Sequence, residues 1–202
     1  TREIEKFKKT NIKPFFLWKL NFSEVFESKG GFDVIIANPP YVKEYVNKSA
    51  FDGLRNSPYY QGKMDLWYYF ACLGIDLLRT NGVLCFIAQN NWVTSYGASK
   101  MREKVAMDSQ IVSLIDFADY KIFEAGIQTG IMMFKKNTLP DKYIFDYRKL
   151  KSNSLIIDDV VTILNKEKSN KAEYLSPEFD RQEFRNKKFT FSNEESEIIL
   201  NK

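Results

Sequence analysis

The sequence predicts half of a doubly wound α/β sheet, mostly parallel with a final antiparallel strand, plus a C-terminal extension. Three observations carry that reading. Short apolar runs recur at 32–37, 83–88, 111–118 and 129–136, and such runs suit strands buried on both faces. Helical periodicity separates the first run from the second and the second from the third. Strand and helix therefore alternate, which is the order of a parallel sheet wrapped by helices.

Residues 2–9 read as the last turns of a helix. FDVIIA (32–37) is the first strand. A polar stretch from Val42 to Lys63 holds Gly53, Pro58 and Gly62 and reads as a long loop with one short helix. In MDLWYYFACLGIDLLR (64–79), Leu66, Tyr69, Phe70, Leu73, Leu77 and Leu78 keep helical spacing, and Asn81-Gly82 punctuates the end. VLCFIA (83–88) is the second strand, Gly97 to Met107 an amphipathic helix and IVSLIDFA (111–118) the third strand. A loop through Phe123 and Gly126 leads to TGIMMFKK (129–136). No helix fits between these last two strands, so they pair as an antiparallel hairpin. Beyond Asn137 the composition turns polar, with bursts such as SLIIDDVVTIL (154–164), and a boundary falls near 138.

Composition narrows the chemistry. The chain has 202 residues, 44% hydrophobic and 28% charged, as in soluble globular proteins. No apolar run reaches the roughly 20 residues that span a bilayer, and the charged N-terminus lacks a signal-peptide core, so a cytoplasmic location is expected. Histidine is absent, which removes Ser-His and Cys-His nucleophilic catalysis and the usual neutral-pH base. Cys72 and Cys85, both in apolar segments, make no zinc set without histidine and read as buried free thiols. The net charge of +4 comes from residues 1–20, with six Lys/Arg against two Glu. That excess is either a solvated helix face or an electrostatic footprint for nucleic acid.

The stretch FDVIIANPPY, 32 to 41, holds the strongest signal. In an open parallel sheet, ligands sit at the carboxyl ends of strands, and Asn38 to Tyr41 lie at such an end. Pro39 and Pro40 fix φ and donate no hydrogen bonds, and Pro39 pushes Asn38 towards extended geometry. The turn is stiff. Asn38 and a proline-preceded carbonyl offer two acceptors, and Tyr41 a flat face, which suits a planar group bearing an exocyclic NH2. A plain strand-ending turn uses the same residue types.

The combination resembles the class I S-adenosylmethionine-dependent methyltransferases that act on amino groups. The likeness is strongest to the DNA N6-adenine methyltransferase domains of bifunctional type IIG restriction–modification enzymes. FFLWKLNFSEVFESKGGFDVIIANPPYV (15–42), KMDLWYYFACLGIDLL (63–78), NGVLCFIAQNNW (81–92) and KIFEAGIQTGIMMFKK (121–136) follow that family's order. The resemblance covers about residues 15–137 and implies a Rossmann-like fold, double-stranded DNA as partner and S-adenosylmethionine as cofactor of the complete enzyme. It implies that Asn38 and the Pro39 carbonyl accept hydrogen bonds from an adenine amino group. Tyr41 would stack on one face of the flipped base and Phe123 on the other, unless Phe123 is plain core. Asp65 would lie near the cofactor or be a helix-start acid favoured by the macrodipole. Lys43, with Lys48, Arg55 and Lys63, would touch phosphates or belong to a solvated loop. Trp92 would line the pocket or plug the domain edge.

The family's glycine-rich cofactor turn is not visible before residue 32, since Gly30-Gly31 directly precedes the strand. Asn21 stands where many relatives carry an aspartate that meets the cofactor. The expectation is a partial catalytic domain over 1–137 and a connector towards a target-recognition domain over 138–202, inactive alone. No PD-x(n)-E-x-K-like nuclease pair is apparent. Two alternatives stay open: a protein glutamine or RNA guanine methyltransferase, and a DNA-binding fragment without chemistry.

Overall fold

The computed structural model describes residues 16–124, 126–137, 140–151, 154–184 and 188–191. The helix expected over 2–9 lies outside them. In chain order the elements are α1 (Trp18–Asn21), α2 (Ser23–Lys29), β1 (Phe32–Ala37), α3 (Leu66–Leu77), β2 (Leu78–Gln89), α4 (Ser99–Asp108), β3 (Ser109–Asp116) and β4 (Thr129–Lys136). There follow β5 (Lys142–Ile144), β6 (Asp146–Leu150), α5 (Ile157–Leu164), β7 (Ala172–Leu175), β8 (Glu178–Asp180) and α6 (Arg181–Phe184).

Six strands form one sheet in the order β1-β2-β4-β3-β6-β7. β1 runs parallel to β2 and β3 parallel to β6. β4 is antiparallel to both β2 and β3, and β7 is antiparallel to β6. Four of the six strands thus share one direction. The expected hairpin forms, and its second strand goes further by filling the gap between β2 and β3. The α4 crossover leaves that gap open by stepping over one strand position. This is a mixed α/β sheet, mostly parallel in strand direction.

β1 and β4 form over the residues their apolar runs mark. β2 begins earlier than expected. The helix before it stops at Leu77 instead of Arg79, because Leu78 already pairs with Phe32. Asn81, at φ 66°, sits inside β2 and does not end the helix. Gly31 lets β1 start against β2, since a Cβ there would lie 2.5 Å from the Leu77 carbonyl oxygen.

The sheet buries different sets on its two faces. Trp67, Tyr68, Ala71, Cys72 and Ile75 of α3 and Met101, Val105 and Ala106 of α4 pack with Leu84, Phe86 and Phe134. On the other face Ile115, Leu150, Val160, Ile163 and Ala172 cluster under α5. β1 departs from the expected burial on both faces: Val34 and Ile36 are 56% and 77% exposed, while Ile35 packs into the core. Residues beyond 138 supply β6 and β7 to this sheet and, through β5 and β8, a separate two-stranded one.

Candidate functional site

The sheet brings four strand ends to one edge. Ala37, Gln89 and Asp116 end β1, β2 and β3 there. Thr129 starts β4 opposite Gln89, with Gly130 opposite Asp116. The turn Asn38–Tyr41 leaves β1 at that edge. Asn38 and Pro40 are exposed, Pro39 is buried, and Tyr41 is half-buried. The Pro39 ring therefore anchors the turn while the amide before it faces outward.

Tyr41 holds the turn to the sheet. Its hydroxyl lies 3.0 Å from the Ile87 carbonyl oxygen and 3.0 Å from Asn38 Oδ1. One hydroxyl carries one proton, so it donates fully to only one of them. Donation to Ile87 leaves a hydroxyl lone pair, which accepts from the Asn38 amide nitrogen once that amide turns over. The Asn38 oxygen then points away from the protein as an acceptor. Burial, with the Asp65 charge second, pushes the Tyr41 phenol above its ordinary value, so it stays a neutral donor. Among the described residues no turn or loop hydrogen bond uses the Pro39 carbonyl.

Phe123 faces this turn from the β3–β4 loop. Its ring centroid is 6.4 Å from that of Tyr41, with the planes at 58°. Two rings that sandwich a planar group stand roughly 7 Å apart. At 6.4 Å and 58° the two rings form a direct tilted pair, and Phe123 would have to move and turn for a planar group to enter between them.

Beyond Tyr41 the chain is tied to the start of α3. The Leu66 amide donates to the Val42 carbonyl at 2.9 Å and the Glu44 amide to Met64 at 2.9 Å. Between these, Lys43 Nζ lies 3.5 Å from Asp65 Oδ2 and 3.4 Å from Gln89 Oε1. Lys43 thus faces Asp65 and Gln89 with 37% of its side chain exposed. The Asp65 side chain is 1% exposed. Burial pushes its carboxyl up, and Lys43 opposes that shift. Gln89 was not singled out in the sequence, although its place as the last residue of a strand ending at the site was the available signal. Asn91 Nδ2 extends the row to Gln89 Oε1 at 3.5 Å.

The loop over 42–63 is organised by Glu44, another residue the sequence did not flag. Its carboxylate accepts from Arg55 Nη1 at 2.8 Å, from the Tyr60 hydroxyl and from the Met64 amide at 3.4 Å. The Tyr60 hydroxyl, then Arg55 and the Met64 amide, hold that carboxyl below the usual range against the opposing effect of burial. Arg55 is therefore an internal partner too.

Two expected residues are not joined to this cluster. Trp92 is 2% exposed, edge-on to Phe134 and Phe189 at 5.6 and 5.5 Å. Asn21 is exposed on α1, where its Nδ2 donates to the Leu17 carbonyl at 2.8 Å.

S-adenosylmethionine, which the sequence resemblance implies, needs polar groups to hold it. Among the described residues the buried side-chain polar atoms without a partner are Asp65 Oδ1, Trp67 Nε1 and Thr129 Oγ1. Asn21 is committed to Leu17, and Gly30-Gly31 close α2 against the sheet. These groups do not build a complete site for S-adenosylmethionine. What the assembled residues form is a stiff turn, Asn38 to Tyr41, tied to Ile87 and faced by the Phe123 ring. Among the described residues no cluster of acids and cysteines could hold a metal ion, and no helix is long and apolar enough to cross a membrane.

Comparison with known proteins identifies the family. Residues 2–123 match the Eco57I restriction-modification methylase family. The type II methyltransferase M.BanIII of Aneurinibacillus aneurinilyticus is 27% identical over 105 residues, 52% of this chain and 18% of that protein. The type II restriction enzyme and methyltransferase RM.Eco57I of Escherichia coli is 24% identical over 129 residues, 58% of this chain and 13% of that one. The chain thus spans about a fifth or less of these relatives. Among solved structures, a DrdV–DNA complex aligns with TM-score 0.54 at 15% identity, covering 87% of this chain and 20% of that one. The type IIG restriction endonuclease BpuSI aligns with TM-score 0.50 at 14% identity, covering 76% and 20%. Since the family match spans more than half of the 202 residues, the chain belongs to the Eco57I restriction-modification methylase family.

Proposed function

We propose that this chain is the acceptor-binding part of a DNA adenine-N6 methyltransferase of a restriction–modification system, with S-adenosylmethionine as methyl donor. The observation that supports this most is the Asn38–Tyr41 turn, held by Ile87 through the Tyr41 hydroxyl and faced by Phe123 at 6.4 Å. An adenine turned out of the duplex would lie between Tyr41 and Phe123. Its amino group would donate to Asn38 Oδ1 and the Pro39 carbonyl. Those two acceptors draw the nitrogen lone pair out of the purine ring and make it nucleophilic. The donor supplies an electrophilic methyl group, and the complete enzyme brings it to that nitrogen. Positioning and electrostatics then do the work, with no covalent enzyme intermediate. Lys43, paired with Asp65, would hold the turn in register with α3.

On this reading the 202 residues alone do not transfer methyl groups. The test is to incubate the natural full-length protein with labelled S-adenosylmethionine and a mixture of duplex DNA, RNA and protein. Label in DNA alone supports the proposal. Label in RNA or protein transfers the site to a different planar amine or amide and overturns it.

A further inference from the structure

Tyr45 is 76% exposed, the most exposed aromatic side chain among the described residues, and its neighbour Val46 is 72% exposed. They stand two and three residues beyond Lys43, whose ammonium reaches Gln89 at the site. The tip they form has a fixed frame. The Val46 and Asn47 amides donate to the Lys43 carbonyl at 3.0 and 3.1 Å. Asn47 Oδ1 accepts from the Ser49 hydroxyl at 2.9 Å and the Ala50 amide at 3.2 Å. Glu44, directly before the tip, is clamped by Arg55 and Tyr60. An aromatic and an aliphatic side chain thus stand side by side, exposed, on a braced turn.

Resting on the adenine methyltransferase reading, we infer that Tyr45 and Val46 are a wedge that enters the base stack beside the target adenine and fills the space it leaves. Turning a base out opens a gap whose closure opposes the reaction, and an apolar side chain inserted there holds the gap open. Such a wedge must protrude, be rigid and lie near the pocket; this tip is exposed and braced, and it follows Tyr41 by four residues in the chain. Lys48, exposed two residues on, supplies positive charge for the flanking phosphates. A protein partner fits less well, because two side chains fall far short of the roughly 20 residues a stable protein interface uses on each side.

The test uses the natural full-length protein after sequencing has mapped its methylated adenines. Single-turnover methylation is measured on the fully paired site and on a duplex with an abasic position opposite the target adenine. The Y45A/V46A variant should be slower by at least about tenfold on the paired duplex and within about threefold of the parent on the abasic one, where the base leaves without help. Y45F should keep the parent rate on both. A variant within about twofold on the paired duplex overturns the wedge, and so does an equal loss on both duplexes, which marks a purely structural loop. A parent that methylates no duplex overturns the adenine methyltransferase reading itself, and the wedge falls with it.

Discussion

Replacing Lys43 with methionine removes the cation paired with a carboxylate that is 1% exposed, and keeps the stem of the side chain. Breaking a buried ion pair from one side typically costs about 3–5 kcal/mol. Two facts lower that here. Lys43 is itself 37% exposed, and its ammonium stands 3.5 Å from Asp65 Oδ2, at the long end of a hydrogen bond. The expected loss at pH 7 is therefore about 2 kcal/mol, or about 1 M in the urea midpoint for a slope near 2 kcal/mol/M. The D65N change in the same chain removes the stranded charge, so K43M/D65N should return to within about 1 kcal/mol of the parent.

The pH dependence has a definite sign. Burial already raises the Asp65 carboxyl, and Lys43 is what restrains it. Without Lys43 its folded value rises further above the unfolded value of about 3.9. A carboxyl raised by folding costs stability fully above its folded value, and that cost fades as pH falls through it. The K43M deficit should be widest near pH 7–8 and narrower at pH 5. Urea unfolding followed by tryptophan fluorescence reads this directly. An equal deficit at both pH values, or a double variant no more stable than K43M, would refute the pairing.

Three further outcomes are expected. Gly97→Ala would place a Cβ 2.0 Å from the Lys63 carbonyl oxygen and 3.0 Å from Met64 Cα; backbone cannot yield cheaply there, so urea unfolding should show a loss of about 3 kcal/mol. Cys72 is buried, and burial pushes its thiol up to about 12. In a C85S background a disulfide reagent at pH 8 should therefore modify it at least about a hundredfold slower in the native chain than in urea. Glu44→Ala should release Arg55 and Tyr60 together, and limited trypsin digestion at Lys48, Arg55 and Lys63 should speed up about tenfold while cleavage in the sheet does not.

Local signals were legible in the sequence wherever one segment decides its own fate. FDVIIA and TGIMMFKK become β1 and β4 without shift, because apolar β-branched runs bounded by polar residues leave little choice of register. The Asn-Pro-Pro-Tyr turn was legible as a stiff acceptor-bearing turn for the same reason. What the sequence hid depends on contacts across long separations. The place of β4 between β2 and β3 needs two partners, while a hairpin argument names only one. β6 joins β3 from a polar stretch in which only Arg148 and Leu150 are buried. Lys43 and Arg55 read as loop cations, since Asp65, Gln89 and Glu44 approach them only in the fold. Trp92 ends as core because Phe189, far along the chain, covers it. The exposed face of β1 shows the converse: an apolar run fixes a strand but not what lies against it.

The most direct measurement of the central claim is nucleoside mass spectrometry on site-containing duplex after treatment with the natural full-length protein and with its Asn38→Ala copy. The account predicts N6-methyladenine as the product. It also predicts a loss of at least about a hundredfold in the variant, because one acceptor of the amino group is gone while the Tyr41–Ile87 anchor stays. Methylation on cytosine, or N6-methyladenine formed equally well without the Asn38 amide, would contradict it.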